Sequence, residues 1–173
     1  MKRENPYKNI SGKEVVKSII VIVVFFTIVF LIVKAATKPK PVATTAQVND
    51  LLTSRGYTVE DSTERYQTGS PGGGIVNVLT VKQGKFVYQF FVFESNKYAQ
   101  RGWDAITTDM SKHKTTSSIE TKGFHGNFIY RTILDKDDYY YLVRVGTTLA
   151  YATGSETDKQ EILDIMTELG YID

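Results

Sequence analysis

Hydrophobic and polar positions divide the chain into two regimes. Residues 15–33, VVKSIIVIVVFFTIVFLIV, are apolar almost without interruption, and from Ser18 to Val33 they hold no charge, proline or glycine. Beyond residue 42 the pattern breaks into short alternating and helical periods. Nineteen residues at ~1.5 Å rise reach roughly 28 Å, close to the ~30 Å hydrocarbon core of a bilayer. The pattern predicts one transmembrane helix over residues 15–36. Val15, Phe25, Phe26 and Val33 then face lipid. Lys17 and Lys34 sit near its ends, where a long stem carries the ammonium to the headgroups.

Two other readings compete for this stretch. A signal peptide cut after residue 35 fits the basic start, but the apolar run exceeds the ~7–15 residues usual for such a core. A buried helix of a soluble domain needs only ~10–14 apolar residues. Basic residues favour an N-terminus inside the cell: Lys2, Arg3, Lys8, Lys13 and Lys17 precede or enter the run, against Lys34, Lys38 and Lys40 after it. The expected organisation is a cytoplasmic basic tail (1–14), a signal-anchor helix (15–36), a Pro/Lys spacer (37–43) and an extracytoplasmic domain (44–173).

In the domain, Thr44 or Thr45 can cap a helix to Arg55, with Val48, Leu51 and Leu52 on one face and Gly56 closing it. Residues 58–66 read as a first strand and 67–74 as a Gly/Ser/Pro loop. Residues 75–82 and 85–93 read as a hairpin; its second strand, FVYQFFVF, is apolar on both faces. A helix follows from Asn96 to about His113, with Ala99, Trp103, Ile106 and Met110 as its stripe. From Ser117 the chain is strand again, and residues 126–134, 138–145 and 148–153 form a meander with two- or three-residue turns. Ser155 and Asp158 open a last helix that ends at Gly170-Tyr171. The fold class is α+β: an antiparallel sheet of about six strands with about three helices, expected on one face. VNDLLTSRGY (48–57) echoes ILDIMTELGY (162–171). A shared glycine-terminated helix end explains this more simply than duplication.

Charge changes the picture once the basic start is set aside. From Val42 onward, 17 Asp and Glu outnumber 13 Lys and Arg. Such a domain is a poor nucleic-acid ligand, because phosphate affinity rests on cations. The absence of cysteine removes disulfides, thiolate metal sites, thiol nucleophiles and lipoprotein acylation. Ser70-Pro-Gly-Gly-Gly74 lacks the Gly-Lys-Ser/Thr and the helix of a phosphate loop. Asp135-Lys-Asp-Asp138 lacks the glycine and glutamate of a calcium loop. His113 and His125 have no metal-like spacing, so no metal and no cofactor is expected.

The aromatic residues remain as the lead. Tyr139, Tyr140 and Tyr141 are consecutive, so a strand sends them to both faces. Trp103, Tyr139, Tyr141 and His125 are the candidate binding residues. The expected role is non-catalytic: a single-pass membrane protein that presents an interaction or ligand-binding domain to an envelope partner. A structural subunit of an envelope, secretion or conjugation assembly, self-associating through a sheet edge, is the alternative. A surface hydrolase built on His125 and a carboxylate is the third reading.

Overall fold

The computed structural model describes residues 12–36, 39–69 and 73–172. It separates into two units, Met1–Lys38 and Pro39–Asp173.

The first unit holds one helix, α1 (Gly12–Ala36). Helix is therefore present where the apolar run predicts it. Val15, Lys17, Phe25 and Phe26 lie on it with exposed side chains. The side chains of Val33 and Lys34 lie outside the described residues. Among the described residues, no helix is long and apolar enough to cross a membrane. The transmembrane span expected over residues 15–36 is therefore not shown among the described residues.

The second unit is an α+β fold around a seven-stranded antiparallel sheet, one strand more than the pattern predicts. In chain order its elements begin with α2 (Thr45–Ser54), β1 (Glu60–Asp61), α3 (Thr63–Gly69), β2 (Ile75–Gln83), β3 (Phe86–Phe93) and α4 (Asn96–Lys112). There follow β4 (Ile119–His125), β5 (Phe128–Asp135), β6 (Asp138–Val145), β7 (Thr148–Ser155), a 3-10 turn (Glu156–Asp158) and α5 (Lys159–Glu168). Strand order is β1-β2-β3-β7-β6-β5-β4. The hairpin β2–β3 and the meander β4–β7 are joined by the pairing of β3 with β7, in register Phe90 to Ala150.

Turn chemistry fixes the registers. Gly84, Gly126 and Gly146 have φ between 56° and 60°, as tight hairpins require. Lys136 takes the same left-handed conformation without being glycine, at φ 54° in the turn between β5 and β6.

Helices cover both faces of the sheet, not one. On one face α2 and α5 bury Val48, Leu52, Ile162, Ile165 and Met166 against Phe90, Tyr88 and Val143. On the other, α4 buries Ala99, Trp103 and Met110 against Phe91, Leu142 and Leu149. Both-sided cover is what the two apolar faces of β3 require. Arg131, 3% exposed, fastens α4 to the sheet. Its guanidinium donates to the Thr107 carbonyl at 2.6 Å, to Ser111 Oγ at 3.0 Å and to Glu120 Oε1 at 2.6 Å.

The strand predicted over 58–66 shrinks to β1 because its second half turns helical. Asp61 Oδ1 accepts the Thr63 backbone N–H at 2.9 Å, which starts α3 where a continued strand would need that donor. The residues closing the predicted spacer belong to the domain. Lys40 N–H donates to Asn127 Oδ1 at 2.9 Å, and Asn127 Nδ2 donates back to the Lys40 carbonyl at 3.0 Å. Ala43 is buried, its N–H donating to the Tyr171 hydroxyl at 3.3 Å.

The two echoing segments end alike. Gly56 and Gly170 have φ of 85° and 72°. The N–H of the tyrosine after each bonds back to Leu52 O at 3.1 Å and Met166 O at 2.8 Å. This is the glycine-terminated helix end with its following N–H reaching back one turn. Arg55, ending α2, pairs with Glu161 at 2.8 Å and with Glu168, both on α5.

Candidate functional site

The face that carries α2 and α5 is not covered to its end. β4, β5 and the near half of β6 extend past α5, and a groove of about 460 Å³ runs there. Its floor is set by strand alternation. Phe128, Tyr130, Thr132 and Leu134 of β5 all point into it, as do Tyr139 and Tyr141 of β6 and Ile119 and Thr121 of β4. One wall is α5, through Lys159 and Leu163. Lys40 lies toward the Phe128 end, and Tyr171 and Ile172 complete the lining.

The rings form a graded stack. Phe128 and Tyr130 lie 5.5 Å apart, Tyr130 and Tyr141 6.3 Å apart and nearly parallel, and Tyr139 and Tyr141 6.5 Å apart. The Tyr130 ring lies flat over Gly123, where a Cβ would come within 2.1 Å of it. Burial pushes the Tyr139 phenol up to about 12, against a smaller opposing effect of its hydrogen bond with Thr132. Burial, then the neighbouring Tyr139 and Tyr130, raises Tyr141 further. Both phenols therefore remain neutral donors across the physiological range. Lys159 Nζ sits 5.5 Å from the Tyr139 ring centre, and Lys40 Nζ 5.8 Å from that of Phe128. Ammonium over an aromatic face is favourable. No aspartate or glutamate lines the groove among the described residues.

Tyr139 and Tyr141 thus share one site, but as a buried floor, 4% and 3% exposed, and not as a displayed row. Trp103 is on the opposite face of the sheet, packed under α4. There it borders a hollow of about 310 Å³ with Phe124, Lys122 and Arg131. His125 ends β4 opposite Phe128 on the groove side. Its Nε2 is buried with no hydrogen-bond partner, and no hydrogen bond or ion pair reaches the ring among the described residues. His113 caps α4, 4.0 Å from Asp109, and stacks on Tyr140 at 5.0 Å. Among the described residues no three metal-capable side chains come together. Ser70, Pro71 and Gly72 of the glycine-rich loop lie outside the described residues. Asp135 accepts hydrogen bonds from Thr115 and Ser118, which hold its carboxyl below the usual range.

A second hollow, about 380 Å³, lies between α3 and α4 over Phe91 and Phe93. Tyr66, Tyr98 and Arg101 line it, and its rim runs to Gly73.

Sequence reading alone does not find Lys40, Lys159, Tyr130 or Leu163 as site residues. They come from three separate segments, the residues before α2, β5 and α5, and only the packing of the other two against β5 brings them to one groove.

No family model matches the chain, and no curated protein matches it. Among solved structures, a GTP-binding regulator from Thermotoga maritima is similar at 13% identity, over 78% of this chain and 93% of that one, with a TM-score of 0.45.

Proposed function

We propose that the chain is a membrane-tethered, non-catalytic binding protein, with α1 as its anchor and the β5 groove as its binding surface. The observation that carries the binding reading is the groove: aromatic and aliphatic over most of its lining, with two lysines as the charged groups among its described residues. Such concave, largely apolar clefts with few placed polar groups are where small ligands and chain segments are held.

The anchor reading is supported by the uncharged run from Ser18 to Val33 and by the exposure of every described apolar side chain of α1. A helix apolar on all sides gains nothing from water and is satisfied by lipid. The basic excess before α1 favours the second unit outside the cell.

Two measurements test the two halves. Alkaline carbonate washing should leave the full chain in the membrane pellet; release into the wash would remove the anchor. A photoreactive amino acid at Thr132, in the groove, should give specific adducts in cells. The same group at Lys82, exposed on β2, should not. Equal labelling at both positions would remove the groove from the reading.

One observation favours the assembly alternative. β4 is an edge strand, and Ile119 and Phe124 on it are 66% and 72% exposed. Open edges of this kind recruit further strands. Concentration-dependent mass by light scattering, abolished by Phe124→Lys, is the result that reading requires.

A further inference from the structure

We infer that the groove takes a single-chain anionic amphiphile, its hydrocarbon laid along β5 and its charged head at Lys159. This rests on the groove being the binding surface and goes on to name what it binds. Four features of the groove point to this class.

The first is shape. The lining follows β5 from Phe128 to Leu134, six strand steps or roughly 20 Å at ~3.4 Å per residue. That is a trough suited to an extended chain. The second is the supply of hydrogen-bonding groups. β5 pairs with β4 on one side and with β6 on the other, and β6 pairs with β7. The backbone groups of β5 and β6 in the floor are therefore committed to the sheet, and only the outer edge of β4 stays open. A peptide laid here would leave its own amides and carbonyls without partners, which is costly. A hydrocarbon asks for none.

The third feature is charge. The second unit is net acidic from Val42 onward, yet among the described residues the charged groups lining the groove are both lysines. The Asp158 carboxylate beside Lys159 is already engaged, accepting from Ser155 N–H at 2.7 Å and Ser155 Oγ at 2.6 Å. An anion in the groove meets the Lys159 ammonium without a competing carboxylate among the described lining residues. The fourth is the form of that cation. A lone ammonium is a point charge, suited to a single carboxylate or phosphate head and not to planar bidentate recognition. Lys159 stands at the Tyr139 end, and Leu163, one turn on along α5, lines the same groove. Head and tail of one molecule therefore meet successive turns of α5.

The test uses the full chain in phosphatidylcholine bilayers and palmitate carrying a diazirine in its tail. Adducts mapped by mass spectrometry should fall on Tyr130, Thr132, Leu134 or Leu163. Unlabelled palmitate should compete, and uncharged hexadecanol should compete about tenfold less well. Lys159→Glu should cut labelling by about the same factor; Lys82→Glu should leave it unchanged. Leu163→Glu gives a second, independent block, and circular dichroism melting of each variant confirms that it is folded. Adducts outside the groove, or equal competition by hexadecanol, overturn the proposal. Displacement by bilayer phosphatidylglycerol but not by palmitate also overturns it, in favour of a two-chain lipid. In each of these cases the Thr132 adducts in cells would persist, so loss of this ligand class is distinguishable from loss of the groove itself.

Discussion

Two buried tyrosines show how one hydroxyl can cost or contribute according to its partner. Tyr171 accepts from Ala43 N–H and shares a 3.1 Å bond with Thr148. Tyr88, equally buried, has a hydroxyl with no partner. An unpaired buried hydroxyl costs about 1–3 kcal/mol, whereas a satisfied one contributes about 1 kcal/mol per bond. Tyr88→Phe is therefore expected to raise the urea midpoint and Tyr171→Phe to lower it, each by about 1 kcal/mol or more. The same sign for both would refute the assignment.

Glu120 makes the pH prediction at this scale. Hydrogen bonds from Lys114 above all, then from Lys122 and Arg131, hold its carboxyl down to about 2 from a reference of 4.5, against an opposing effect of burial. A folded pKa below the unfolded one means that its contribution is complete above the unfolded value and is lost as pH falls through the folded one. Wild type should exceed Glu120→Gln in denaturant midpoint at neutral pH, and the gap should close between about pH 4.5 and 2. A gap constant across that window would contradict it.

At the scale of elements, alternation and turn residues account for what the sequence revealed. β2, β3, β6 and β7 each fall within two residues of their expected ends, because each alternates or is doubly apolar and is bounded by a tight turn. α4 and α5 are equally legible through Trp103 and Met110, and through Ile162, Ile165 and Met166. The failure at residues 58–66 has a local cause, since one aspartate can redirect the next N–H and exchange a strand for a helix. The expectation of helices on one face fails because no periodicity says to which side of a sheet a helix docks.

At Gly123 the Tyr130 ring of β5 occupies the place a Cβ on β4 would take. Gly123→Ala must push that ring off β4. A cost of about 1–3 kcal/mol is expected, as for other overpacked sites. Chemical denaturation measures it, and Tyr130 should also shift into the groove and weaken labelling there.

For the molecule as a whole, the division into two units was visible in one long apolar run. The site was not, because it depends on strand order. Nothing in residues 119–134 or 159–172 announces that they become neighbours. The meander places β4–β6 at one end of the sheet, and the groove forms only where α5 packs back over part of that end. Trp103 and Tyr139, both candidate binding residues in the sequence, pack on opposite faces of the sheet.

The tie between Lys40 and Asn127, with that between Ala43 and Tyr171, brings the start of the second unit beside its last helix; Pro41 approaches the Cβ position of Gly170 to 3.1 Å. Residues 41–43 and 170–171 of the second unit are thus neighbours, so the two segments can be joined across a short gap. A circular permutant with Ile172 joined to Pro39 by a short glycine-serine bridge, and new ends opened between Lys136 and Asp137, should reach the same architecture. Its circular dichroism spectrum and melting cooperativity should match those of the parent.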